Sequence, residues 1–512
     1  MTKHNYIIYV ILLVSVFNCK EKEKTIVSTS DKEIGDIINT VINDKESFYF
    51  IDFLNYPHKD NNLPIGVFDS GIGGLTVLKA IVDYDQNQNG TKTPGSDGVL
   101  DFTNESFIYL ADQANMPYGN YSEVNKVDLL KEHIIKDTQF LMGNKYYSNQ
   151  EDSTFNTDKK PVKVIVIACN TATAYGKDHI EEFIKKADSD IKIIGVIDAG
   201  VRGVLETMQK DDDGIIGVMA TAGTVGSKGY ETTILSLKDQ LGFTGNIEVF
   251  SQGGIGIAEA VDEDTDYFNK NLSKPRQEYK GPSLNSDIKI DKTLFDIYNF
   301  DFQNSKMLCD TDKADDCSIL QINDPENYVR YHVVTLLENI RKSETKNQLK
   351  SIILGCTHYP FLIDEIKLVL NELYNYKGND GQYVYRKFMV EDIKLVDPAI
   401  NTAKELYAYL NQKSLFNANG NIKDSEFYIS VANQDNRSIK IDAEGRFPYE
   451  YKYGRNVGQI QEYIKNVPFS RANISEDILN RLETQIPNVY QLIHEFNNSN
   501  NKVDFLENKD KI

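Results

Sequence analysis

Residues 162–174, VKVIVIACNTATA, constrain this chain more than any other stretch, because a short apolar run passes directly into a cysteine and then into helix-compatible sequence. A second copy of that layout lies at residues 351–360, SIILGCTHYP. Neither 162–167 nor 352–354 has the polar alternation of a half-exposed strand, so both read as strands buried on two faces, the pattern of parallel sheets in α/β proteins. Each cysteine then stands at the carboxyl end of its strand. In open α/β sheets ligands bind at that edge, and the following helix turns its free N–H groups toward an arriving anion. A thiol at such a helix start is expected to ionise more readily than the free value of about 8.5. One buried cysteine is ordinarily a small hydrophobe. Two at matching corners suggest a pair of facing acid/base groups.

The rest of the chain repeats the strand–helix rhythm. Residues 64–68 form a short strand that runs into the glycine-rich turn 69–76, DSGIGGLT, where missing side chains let backbone amides approach a carboxylate. That turn is neither a G-x-G-x-x-G nor a Walker A loop. Strands are predicted at 106–111, 191–197, 215–219 and 247–251, with helices between them, and this alternation means a parallel sheet. Helical periodicity returns at 328–341 before the second cysteine strand, and 395–398 closes the core. Beyond it, 427–431 reads as strand and 474–496 as helix.

With 512 residues the chain can form two or three domains, and its 40% hydrophobic and 26% charged residues are ordinary for a globular protein. A net charge of -20 argues against a nucleic-acid partner, whose phosphates demand cationic surface. Lys3 and His4 precede an apolar run at 6–17 that is short for a membrane span and suits a signal h-region. The run ends at Cys19 before the charged segment KEKEK, which resembles a bacterial lipoprotein signal with Cys19 bearing the lipid and anchoring the mature chain to an extracytoplasmic membrane face. Cys309 and Cys317 lie in a polar segment, where a local disulfide and two free thiols are both compatible with the spacing. Asp85, Asn87 and Asn89 before Gly90 match the first half of a calcium loop, but Ser96 stands where a bidentate Glu belongs, so a solvated turn fits as well.

Six motifs in order resemble glutamate racemase of the aspartate/glutamate racemase superfamily over about residues 64–412: GVFDSGIGGLTV at 66–77, PYG at 117–119, ACNTATA at 168–174, TVGSKGY at 224–230, GCTHYP at 355–360 and VDPA at 396–399. The resemblance implies two pseudo-symmetric α/β lobes, each a mostly parallel sheet flanked by helices, with the active site in the cleft between them. It also implies a cofactor-independent racemase of L- and D-glutamate, linked to peptidoglycan precursor supply, in which one thiolate removes the α-proton and the opposite thiol returns one. Carried over residue by residue, Cys169 and Cys356 are the acid/base pair, with Asp69 and His358 assisting. Asp69, Ser70, Tyr118, Gly119, Asn170, Thr171, Thr357 and His358 are then the substrate contacts, and no metal is required. The run 252–262, QGGIGIAEAVD, departs from the family pattern and puts Asp262, with Glu259 nearby, at the family's acidic position.

The expected organisation is a signal at 1–19, a tether at 20–62, lobe 1 at 63–197 and 358–412, lobe 2 at 198–357 with an insertion at 263–325, and an appended module at 413–512. The partner expected is a small molecule, with the membrane reached through the lipid and a homodimer left open. Two other readings remain: a racemase of aspartate or another acidic amino acid, and an exported lipoprotein that captures an amino acid without turning it over.

Overall fold

The computed structural model describes residues 29–311 and 316–512, with side chains from residue 35. The signal-like residues 1–19, with the expected lipid site Cys19, lie outside the described residues. No helix among the described residues is long and apolar enough to cross a membrane.

Twelve strands appear among the described residues: β1 (Ile65–Asp69), β2 (Phe107–Ala111), β3 (Val164–Ile167), β4 (Lys192–Gly195), β5 (Gly214–Ala220), β6 (Ile247–Gly253), β7 (Met307–Cys309), β8 (Leu320–Ile322), β9 (Leu349–Gly355), β10 (Met389–Val396), β11 (Glu426–Ala432) and β12 (Ile464–Pro468). They make a six-stranded sheet in the order β12-β11-β2-β1-β3-β4, a four-stranded sheet β10-β9-β5-β6 and a small β7-β8 hairpin. Every pairing in the two large sheets is parallel except β11 with β12. The molecule is thus α/β, with two mostly parallel sheets flanked by helices. The cysteine strands behave as their apolar composition requires: β3 is buried along its whole length, and β9 everywhere except Lys350.

Strand pairing redraws three of the expected boundaries. Residues 358–412 were expected to return to lobe 1, yet β10 joins β9 in the second sheet, Lys394 to Val396 lying beside Ser351 to Ile353. The C-terminal segment 413–512 is no separate module. Its strand β11 runs parallel to β2, from Glu426 beside Ile108 to Ile429 beside Ala111, and β12 then closes that edge. Helix Pro487–Ser499 buries Val489, Leu492, Ile493 and Phe496 in the same core as β1 and β2. The expected tether also packs. Helix Thr29–Asn43 buries Ile37, Ile38 and Val41, and the Tyr56 hydroxyl donates to the Val162 carbonyl at 2.7 Å. Apolar surface withdrawn from water drives each of these dockings, but their partners stand far away in sequence.

The excursion at 263–325 carries the β7-β8 hairpin and rests on the core of the second sheet. Cys309 and Cys317 are joined there as a disulfide, with 5.6 Å between their Cα atoms. Cys169 and Cys356 are free and buried.

Candidate active site

A cavity of about 600 Å³ opens at the carboxyl ends of β1, β3, β5 and β9, and both Cys169 and Cys356 line it. The two corners are stitched together directly. The Asn170 side chain, next to Cys169, donates to the carbonyl of Gly355, next to Cys356, at 3.2 Å. The Tyr230 hydroxyl in turn donates to the Asn170 side-chain oxygen at 2.9 Å.

Cys169 caps helix Asn170–Lys186, its sulfur accepting the Ala172 N–H at 3.4 Å, and it lies 3.8 Å from the Ser70 hydroxyl. The helix-start stabilisation expected from sequence is therefore present, but it loses. Burial, and after it the negative charge of Asp69, pushes the Cys169 thiol up to about 12. Asp69 ends β1 and accepts the N–H groups of Gly74 at 2.9 Å and Gly71 at 3.2 Å. Position 74 has to be glycine for this approach, since a Cβ there would lie 2.4 Å from the Asp69 Cβ. Burial raises the Asp69 carboxyl above its ordinary value despite those amides and the Cys169 thiol, so the carboxylate that remains is a strengthened base beside a reluctant thiol.

The second cysteine has different company. The Cys356 sulfur lies 3.6 Å from His358 Nδ1, and His358 Nε2 lies 3.2 Å from Asp262 Oδ1. Burial alone would lower the His358 pKa, but its hydrogen bonds to Asp262 and Cys356 and their charges reverse this and raise it to about 10. Asp262 answers in kind: burial works upward, while the bond from His358 and the charges of His358 and Arg481 hold its carboxyl below the ordinary value. Near neutral pH His358 is an imidazolium, with one N–H directed at sulfur and the other at a carboxylate.

No family model matches the chain. The curated glutamate racemase of Lactobacillus johnsonii is 26% identical over 356 residues, 70% of this chain and 84% of that protein. That of Thermoanaerobacter pseudethanolicus is 28% identical over 368 residues, 72% of this chain and 88% of its own. The chain is similar to curated glutamate racemases along most of its length. Among solved structures, the glutamate racemase isoform RacE1 of Bacillus anthracis covers 72% of this chain and 88% of its own at 22% identity, with a TM-score of 0.41.

Of the contacts that the racemase resemblance carried over, Asp69, Ser70, Asn170, Thr171, Thr357 and His358 line the cavity with both cysteines. Tyr118 and Gly119 do not. The Tyr118 ring is 1% exposed, and its hydroxyl is held between two buried carboxylates, Asp112 at 2.6 Å and Asp137 at 2.7 Å. Gly119 faces the Gly223 backbone instead. Their neighbours Met116 and Pro117 supply that wall.

The calcium-loop residues spend their side chains within the loop. Asp85 accepts from the Ser96 hydroxyl at 2.5 Å and from the amides of Asp97 and Gly98. Asn87 donates to Asp101, and Asn89 donates to the carbonyls of Val99 and Leu100. The segment is thus a turn closed by its own hydrogen bonds.

Sequence reasoning missed one wall altogether. Helix Glu476–Gln485 of the C-terminal segment brings Ile478, Arg481 and Leu482 onto the cavity, and Arg481 Nη1 lies 2.6 Å from Asp262 Oδ1. The spacing 478, 481, 482, 485 marks a single helix face, but nothing in the local sequence says what that face covers.

Proposed function

We propose that the chain is a cofactor-independent racemase that interconverts L- and D-glutamate by proton transfer between two cysteines. The observation that carries this reading is the pair of strand-end thiols lining one cavity, each with its own acid/base partner. Its relatives named glutamate racemase support the same chemistry and, by resemblance, a role in supplying D-glutamate for peptidoglycan.

In this mechanism Asp69 takes the Cys169 proton, and the resulting thiolate removes the substrate α-proton: the C–H bond breaks, an S–H bond forms and the electron pair stays on the α-carbon. The Cys356 thiol then gives its proton to the opposite face of that carbanion, while the His358 imidazolium stabilises the sulfur it leaves behind. The reverse direction exchanges the two roles. Following the family, Cys169 acts on the D-isomer and Cys356 on the L-isomer. Ser70, Thr171 and Thr357 offer hydroxyls to the carboxylates, and the amides that open helix Asn170–Lys186 add their positive end. Positioned general acids and bases of this kind contribute about 10²–10⁴-fold each.

The test is direct. Purified protein with either glutamate enantiomer in D2O should place deuterium on the α-carbon as chirality is lost. Turnover of aspartate in place of glutamate would move the substrate to the shorter acid. Tight binding of glutamate without any α-deuteration would favour the exported binding lipoprotein. The lipid anchor is a separate part of the proposal and rests on Cys19: Cys19→Ala should release the protein from the membrane fraction, and a native chain found in the cytosol with Met1 intact would refute it.

A further inference from the structure

The C-terminal segment lies outside the region of resemblance, yet it supplies a cation to the cavity. Helix Glu476–Gln485 lays Ile478 and Leu482 over the opening, with Arg481 on the same face. Arg481 Nη1 reaches Asp262 twice, at 2.6 Å to Oδ1 and 3.4 Å to the backbone carbonyl. That same Oδ1 takes the 3.2 Å contact from His358 Nε2, and His358 Nδ1 faces the Cys356 sulfur at 3.6 Å. One carboxylate oxygen is therefore shared by two cations, and the line Arg481, Asp262, His358, Cys356 joins the tail to one thiol and bypasses the other.

We propose that Arg481 is a positioning residue for the second cysteine: by fixing Asp262 from outside, it fixes the orientation of His358 and the proton transfer at Cys356. This inference rests on the racemase reading. Asp262 caps the short helix Ile257–Val261, which holds its backbone, while His358 and Arg481 are the contacts on its carboxylate. The side chains of Arg481 and Asp262 are 38% and 37% exposed, so the pair adds little to stability, and its value lies in geometry. One guanidinium nitrogen, Nη1, meets both the carboxylate and the carbonyl of Asp262, so the side chain grips that residue at two points. The charged and titratable groups acting on His358 are Asp262, Cys356 and Glu259, and Arg481 meets the same Asp262 oxygen.

Arg481→Ala, Arg481→Lys and wild type should be compared with α-protonated and α-deuterated glutamate of each hand. The expected loss in kcat/KM for Arg481→Ala is about tenfold, equal from both enantiomers because their interconversion has an equilibrium constant of one. The deuterium effect should rise only from the enantiomer that Cys356 deprotonates, Arg481→Lys should recover part of the rate, and the melting temperature should stay near that of wild type. An unchanged rate, or a deuterium effect that rises equally from both enantiomers, would overturn the proposal and leave Arg481 a merely structural residue. Wild type that places no deuterium on the α-carbon would overturn the racemase reading, and this inference with it.

Discussion

The two cysteine corners share a layout of strand, cysteine and threonine or asparagine, but the surroundings of the two sulfurs differ in sign. Cys169 sits beside a buried carboxylate, and both its burial and that negative charge keep the proton on sulfur, pushing the thiol up to about 12. Cys356 sits beside an imidazole whose pKa is raised to about 10, so it faces a positive charge. The first corner pairs its sulfur with a carboxylate, and the second pairs its sulfur with an imidazole tied to a carboxylate. Pseudo-symmetry of fold therefore does not extend to symmetry of chemistry. A racemase needs only that each face of the α-carbon meet a group able to give and take a proton, so the proposed function does not require the two corners to be alike.

The harshest test of the comparison removes either sulfur. Cys169→Ala and Cys356→Ala should each abolish racemisation, a loss of about 10³-fold or more as judged from positioned acid/base groups. Wild-type turnover by either variant would exclude the two-thiol mechanism. Cys→Ser at either position keeps the shape with a far less acidic proton, so polarimetry should show turnover lost by orders of magnitude while calorimetry still shows substrate binding.

Changing the partners should separate the corners more finely. Asp69→Asn deprives Cys169 of its base, and His358→Asn deprives Cys356 of its cation; each should cost about 10²-fold in kcat. The discriminating readout is the deuterium effect from each enantiomer, which should grow on opposite sides in the two variants. Growth on the same side in both would mean that the two corners act as one unit.

The sequence made the two cysteine corners legible and the architecture legible only in part. Apolar runs ending in Cys169 and Cys356 sufficed to place both thiols on sheet edges, because burial on two faces leaves a strong local signature. Asp69 came from the racemase resemblance alone, and the amides of the glycine-rich turn, expected to face a ligand, reach the Asp69 carboxylate instead. Tyr118 was misplaced, because a tyrosine in a loop motif carries no sign of the buried Asp112 and Asp137 that hold its hydroxyl. Strand β11 was found, but its pairing with β2 was not, and β12 is a short antiparallel edge with weak alternation. Arg481 was invisible: an arginine on an amphipathic helix is ordinarily solvated, and only the packing of residues 426–499 onto the first core brings it to the cleft.

pH should act on the two corners in different windows. The raised folded pKa of His358 means that its ion pair contributes fully below the ordinary value of 6.5 and is lost as pH rises through about 10. Turnover should therefore fall on an alkaline limb near pH 10, and His358→Asn should lack that limb. Asp69 must be ionised to accept the Cys169 proton, and its carboxyl is raised, so the acid limb should lie above the ordinary aspartate value. Asp69→Asn should remove the acid limb and leave the alkaline one. A wild-type profile flat from neutral to pH 11 would show that the His358 charge plays no part.

The gentlest contrast is chemical labelling, which leaves both corners intact. Alkylation consumes the thiolate, and a neighbouring positive charge favours attack while burial beside a negative charge opposes it. Both sulfurs are nearly equally shielded, with Cys169 6% exposed and Cys356 7%, so access does not decide the outcome. Charge does. At pH 8 a small haloacetamide should modify Cys356 several-fold faster than Cys169, as read by peptide mass spectrometry, since labelling at Cys169 is limited by a thiol pushed up to about 12. His358→Asn should slow Cys356 toward the rate of Cys169, and a saturating acidic amino-acid ligand should protect both. Equal labelling of the two cysteines in wild type would mean that the imidazolium and the carboxylate do not set the reactivity of their sulfurs, and the contrast between the corners would then be one of structure without chemical consequence.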